Sequence, residues 1–216
     1  MSATAIRARA DLGRLIMIPS AAVILSLDLI TLGHGSPGGA AGVLKWVATV
    51  LVCAFYVLII WCYLRRGKAT ASSRSLTAHV AAVAATMMPF AFPLLHAARP
   101  GAGAQLMSDA LLVAGTTWSV WALRSLGRNL SVLAQARGLT DRGPYRWVRH
   151  PLYTGELVAA LGLAIAAGTL AAAITWVVLC VLQGYRAVKE EQVLLRALPG
   201  YPSYRSRTAA LLPGLF

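Results

Sequence analysis

The sequence predicts an all-α, polytopic membrane bundle of about six spans, the last two forming a tight helical hairpin. Three observations carry this prediction. Of the 216 residues, 58% are hydrophobic and 12% charged, about half the charge usual for a soluble domain. The apolar residues fall in blocks, several long enough to supply the roughly 20 helical residues that cross the hydrocarbon core of a bilayer. The basic residues fall almost wholly in alternate connections between those blocks.

The first block, 15–33, carries one acid, Asp28. It lacks a small-residue cleavage site, so it reads as a retained helix and not a signal peptide. The second block is 43–64. The third, 76–97, contains Pro89 and Pro93, which predict a kink tolerated inside a bundle. The fourth, 105–123, carries Asp109, and both Asp28 and Asp109 are expected to be exposed near the outer interface. The last block, 152–185, has Glu156 as its one charge and is too long for a single untilted span. A hairpin turning near Gly168 and Thr169 gives two arms of about 17 residues each, the lower limit for spanning. Cys53, Cys62 and Cys180 lie inside apolar blocks without metal-ligand spacing, so they read as small buried hydrophobes; no metal is expected.

The net charge of +13 would suit nucleic acid, but its distribution points to a membrane. Arg7, Arg9 and Arg14 precede the first span. Arg65, Arg66, Lys68 and Arg74 follow the second, and six arginines from Arg124 to Arg149 follow the fourth. Arg186, Lys189, Arg196, Arg205 and Arg207 follow the hairpin, leaving only Lys45 and Arg99 near the opposite face. By the positive-inside rule both termini are cytoplasmic, and the anionic inner leaflet accounts for much of the excess. The Ala/Arg-rich composition suggests a bacterial inner membrane.

The chemistry-bearing residues fall in the second half. In "DRGPYRWVRHPLYTGE", 141–156, the chain enters the membrane at His150 and Pro151. Proline suits a first helical position and pushes the residue before it out of the helix. An interfacial belt explains Arg146 and Trp147. It explains His150 less well, and it leaves "YRAVKEEQVLLRALPGYPSYRSR", 185–207, unexplained. Arg186 and Glu190, four apart, share a helix face. The hairpin returns them to the level of Tyr145, His150 and Tyr153, so titratable groups from distant sequence converge at the membrane boundary. For Glu156 two partners are open, an arginine from the loop or a pocket.

Over residues 118–213 these motifs, in order, resemble the isoprenylcysteine carboxyl methyltransferase family and the related phospholipid N-methyltransferases. The resemblance implies variable transmembrane helices over 1–104 and a methyltransferase catalytic core over 105–216. It implies a cytoplasmic pocket for S-adenosyl-L-methionine and a tunnel that brings a lipophilic acceptor from the bilayer. Carried onto this sequence, the cofactor residues would be Gln135, Leu139, Gly143, Tyr145, His150, Tyr153 and Glu191, with Arg186 and Glu190 catalytic at the acceptor. The acceptor suggested is a carboxylate, oriented by Arg186 while Glu190 aims the guanidinium. A phospholipid or other amine acceptor of the same plan is the alternative, and would need a base. An NADPH-dependent membrane reductase of the sterol reductase type shares the Arg-His-Pro entry but binds a larger, phosphate-bearing cofactor. A transporter would show inverted halves, which this chain lacks. Partners are therefore a lipid-like acceptor and membrane lipids, not nucleic acid; the oligomeric state is not legible.

Overall fold

The computed structural model describes residues 12–33, 38–67, 69–73, 75–96 and 100–211. Arg7, Arg9, Lys68, Arg74 and Arg99, used above to assign topology, lie outside them. The described chain is helical, in the order α1 (Leu12–Gly33), α2 (Gly39–Arg65), α3 (Leu76–Met87), α4 (Ala102–Leu126), α5 (Pro151–Ala167), α6 (Leu170–Ala197) and α7 (Tyr201–Arg205). Among the described residues five helices are long and apolar enough to cross a membrane, and α5, with 17 residues, is a shorter apolar helix beside them.

The two prolines of the third span act as their chemistry demands. α3 stops at Met87 and the chain continues as a 3-10 helix over Met88–Leu95, with Pro89 in its first turn and Pro93 inside. A proline without N–H cannot continue the i to i−4 ladder.

The hairpin turns where expected. Gly168 ends α5 at φ 64°, a left-handed position that favours glycine, and its N–H bonds the Ala164 carbonyl. Thr169 then caps α6 by accepting the Ala172 N–H, and its hydroxyl donates to the Leu95 carbonyl at 2.9 Å. The second arm outruns the expectation. α6 continues for 28 residues to Ala197, so its last turns stand beyond the apolar stretch and present Arg186, Glu190 and Glu191 on one rigid element.

Small residues let α4 and α5 meet along their length. A Cβ on Gly115 would strike the Ala159 backbone nitrogen, and one on Gly155 would strike the Ser119 hydroxyl. A Cβ on Gly162 would lie 2.6 Å from the Ser108 carbonyl oxygen. In a bilayer, where apolar burial does not drive helix association, such close backbone packing does. Asp109 departs from its expected exposure. It is buried on α4 and accepts a hydrogen bond from Gln105 at 2.9 Å, because the face of α4 that carries Ser108, Thr116 and Ser119 turns inward. Asp28 is half-buried.

Apolar cores form on both sides of this seam. Met17, Ala21, Ile59, Cys62, Tyr63, Leu123 and Leu130 join α1, α2 and α4. Ala85, Phe92, Ala160, Ala164, Ala172 and Leu179 join the third span to the hairpin.

The connections after α2 and α4 are tied together, which the sequence does not foretell. Ala71–Ser72 (β1) pairs antiparallel with Gln135–Ala136 (β2), Ala71 opposite Ala136. Thr70 and Ser73 N–H groups extend the ladder to the Ala136 and Ala134 carbonyls, both at 2.8 Å. Arg14 and Arg128 cap the last carbonyls of α2, through Tyr63 and Arg66 for Arg14 and through Arg65 for Arg128. Cations at a helix C-terminus oppose the negative end of its dipole.

Candidate active site

The site grows from the corner at His150. Gly143, at φ 59°, opens a short 3-10 turn over Gly143–Arg146, and a Cβ there would strike the Ser125 hydroxyl. This turn seats Tyr145 in the interior. Pro151 starts α5, its carbonyl held by the Trp118 indole at 2.9 Å. The Arg149 and His150 N–H groups donate to the Ala209 and Ala210 carbonyls, and the Thr154 hydroxyl to that of Leu211. The segment after α7 therefore lies along the corner as a strap.

Behind that strap three side chains form a column, and a fourth is bonded to it. The His150 ring lies parallel to Tyr153, centroids 5.3 Å apart, and the Arg186 guanidinium sits 4.7 Å over the Tyr153 ring. The Tyr153 hydroxyl donates to Glu190 Oε2 at 2.8 Å, and His150 Nδ1 is 3.9 Å from the same oxygen. Glu190 is thus engaged by Tyr153 and not by Arg186. The guanidinium is aimed by other groups: Nη1 donates to Gln183 Oε1 at 2.9 Å and Nη2 to the Val132 carbonyl at 3.2 Å. Gln183 Nε2 in turn donates to Glu156 Oε2 at 2.7 Å. The partner of Glu156 therefore comes from the returning helix, not from the loop.

Glu191 is saturated. Its Oε1 accepts from Arg149 Nε at 2.7 Å and faces His150 Nε2 at 3.1 Å, and its Oε2 lies 3.2 Å from Arg205 Nε. It bolts the corner, α6 and α7 together.

A polar cavity adjoins this column at Glu190, and a small apolar one lies beyond Val132. The polar one encloses about 440 Å³, part of it open to solvent. Its walls are the end of α4 (Leu126, Asn129), the loop from Gln135 to Thr140, Tyr145 and Arg149, Glu190 and Leu194 of α6, and Tyr201 and Tyr204 of α7. The other, with free space of about 10 Å³, is lined by Gly13, Ile16, Met17, Val83, Thr86, Met87, Val132 and Leu133. Of the residues expected from sequence, Gln135, Leu139, Tyr145 and Glu190 stand on the polar wall. His150, Tyr153, Arg186 and Glu191 form the layer behind it, and Gly143 lies beneath, against α4.

Burial pushes the Tyr145, Tyr201 and Tyr204 phenols above their ordinary range, with Glu190 adding to the shift at Tyr145 and Glu191 at Tyr201. All three stay neutral. The Tyr204 hydroxyl donates to the Tyr145 carbonyl at 2.7 Å. The sequence marks Tyr201 and Tyr204 only as part of a motif, without a site role, and gives no sign of Asn129, Thr140, Val132 or Gln183. The Tyr pair, three apart in "GYPSYR", was the one visible signal.

The sequence profile of the phospholipid methyltransferase family matches residues 104–199, the stretch that runs from α4 to the end of α6. No curated protein matches the chain. Among solved structures the chain is similar to the eukaryotic intramembrane Ras methyltransferase, isoprenylcysteine carboxyl methyltransferase. The identity is 18% and the TM-score 0.53, over 93% of this chain and 76% of that one. That likeness is one of fold. Residues 104–199 thus match the phospholipid methyltransferase family, and together with the isoprenylcysteine carboxyl methyltransferase-like helical fold this match marks the protein as a membrane methyltransferase.

Proposed function

We propose that the protein transfers a methyl group from S-adenosylmethionine to a small lipophilic or lipid-like acceptor, within a catalytic core formed by residues 105–216. The observation that carries this reading is the Arg186–Glu190 turn of α6, which reaches the linings of two different cavities. Glu190 lines the polar cavity, and Arg186, one turn before it, bonds the carbonyl of Val132, which lines the apolar one.

The polar cavity suits the cofactor on its own chemistry. Glu190 supplies negative charge toward a sulfonium, Leu126, Leu139 and Leu194 an apolar wall, and Asn129, Gln135 and Thr140 polar groups. The Tyr201 hydroxyl is buried there without a hydrogen-bond partner among the described residues. When bound, the cofactor supplies an electrophilic methyl on a cationic sulfur. The chain's part is to align the reactants and exclude water. Gln135, Leu139, Tyr145 and Glu190 would face the donor. His150, Tyr153 and Glu191 would hold that wall, and Gly143 the turn beneath it.

Arg186 faces the acceptor. The carboxylate suggested by the sequence would meet the Arg186 Nε–H, which is buried without a partner and suits a charge-assisted hydrogen bond. An amine or phenol would instead hand its proton to Glu190 or His150. The lipophilic tail would lie along α1 and α3 beside Val132, where the apolar cavity is a narrow opening. Arg14, Arg65 and Arg128 gather at the end of α2, and Arg137 and Arg149 line the polar cavity. This distribution supports cytoplasmic termini and a cytoplasmic cavity in a bacterial inner membrane.

Calorimetry of detergent-purified protein tests the cofactor, with S-adenosylhomocysteine and NADPH as probes. Saturable binding of the first alone is expected; binding of NADPH alone overturns the reading. Labelled methyl transfer across lipophilic carboxylates, thiols, amines and phenols then identifies the acceptor.

A further inference from the structure

Glu156 is an acid inside an apolar hairpin, where an ionisable group is costly and normally has a partner and a task. Its partner is Gln183, whose amide is oriented by both neighbours. Ionised Glu156 only accepts, so Nε2 must face it; Arg186 only donates, so Oε1 must face the guanidinium. The Glu156–Gln183–Arg186 chain therefore pairs one negative and one positive charge through an amide. Arg186 also lies over the Tyr153 ring, and the Tyr153 hydroxyl is bonded to Glu190. Without Glu156, the guanidinium would leave Glu190 as its nearest counter-charge across that ring.

We infer that Glu156 is a positioning and specificity-determining residue: through Gln183 it balances Arg186, and so leaves the Glu190 carboxylate to favour a cationic methyl donor over its neutral product. This rests on the proposed cofactor. The consequence is directional. S-adenosylmethionine and S-adenosylhomocysteine differ by one methyl group and one positive charge at sulfur. Glu156 therefore strengthens the first against the second without touching either.

The test is calorimetric titration of wild type and Glu156→Gln with both ligands. The amide keeps an acceptor for Gln183 and removes the charge. The expected result is an unchanged affinity for S-adenosylhomocysteine and a loss of roughly five- to tenfold for S-adenosylmethionine. A purely structural role would weaken both equally. Equal losses, or no change in either, overturn the inference. Glu156→Met, apolar and of similar length, replaces the amide variant if that variant does not fold, and the same change in ratio is expected. If wild type binds neither ligand, the cofactor reading fails; if wild type binds both and the ratio stays constant in the variants, this inference alone fails.

Discussion

α1 and α4 are both apolar spans, yet they relate to the molecule in opposite ways. In its most apolar stretch α1 has 11% of residues buried and α4 has 39%. Most of α1 presents its side chains outward, and its contribution to the site is at its end, where Arg14 caps α2. α4 is backed along its length by α5 through glycine and serine, and its C-terminal end forms part of the cavity wall. The difference teaches that hydrophobicity places a helix in the bilayer while small residues place it against a neighbour. The family profile begins at residue 104, with α4. The first three helices nevertheless hold the site through a few long-range bonds, of which the ribbon and the Tyr63–Val132 contact are the clearest.

The largest break in this comparison comes at the seam. Gly155→Leu puts a side chain into Ser119 and the backbone of α4, where overpacking of rigid backbone costs about 3 kcal/mol or more. Loss of the monodisperse folded protein in detergent is expected. Leu27→Ala, at an exposed position on α1, should leave the melting temperature within about 1 °C. If the two variants melt alike, the seam is not what organises the core.

The next effect separates the two sides of the column. Arg186→Ala should lower kcat by about 10²- to 10³-fold while S-adenosylhomocysteine affinity, read by calorimetry, changes no more than a few-fold. Loss of both in proportion would move Arg186 to the cofactor side.

A subtler break tests whether the N-terminal helices reach the site. The Tyr63 hydroxyl accepts the Val132 N–H at 3.1 Å, and the Val132 carbonyl holds Arg186. Tyr63→Phe leaves that N–H unpaired, which costs about 1–3 kcal/mol. The expected signature is a higher acceptor KM with unchanged S-adenosylhomocysteine affinity. Unaltered KM would confine the role of Tyr63 to packing.

These contrasts also mark what could be read in advance. The spans, the Pro89 break and the turn at Gly168 and Thr169 were legible because each is local: an apolar run, a missing N–H, a left-handed residue before a cap. The convergence of Tyr145, His150 and Tyr153 with Arg186 and Glu190 followed from the hairpin alone. The ribbon was not legible, because two-residue strands some sixty residues apart leave no period in the sequence. Asp109 misled for a related reason: its exposure depended on which way α4 is rotated, and the small residues that decide the rotation act through a helix distant in sequence. The direct Arg186–Glu190 pair expected from i,i+4 spacing gave way to Tyr153, which competes for Glu190 with a shorter reach.

The smallest expected effect concerns pH, and it distinguishes the strap from the spans. Tyr204 lies outside the membrane-spanning helices; burial raises its phenol above the ordinary 10.0, opposed by the nearby Arg149 charge. A group with a raised folded pKa binds its proton more tightly folded than unfolded. Its stabilising contribution is therefore complete below pH 10 and is lost as pH rises beyond it. Tyr204→Phe deletes that titration and the hydroxyl's bond to the Tyr145 carbonyl, which contributes about 1 kcal/mol. Melting curves at pH 8 and pH 11 should show the variant less stable at pH 8 and the gap narrowing at pH 11, as the wild type loses what the variant never had. A gap that stays constant across this range would mean that Tyr204 does not titrate with unfolding, and that the strap opens before the bundle does.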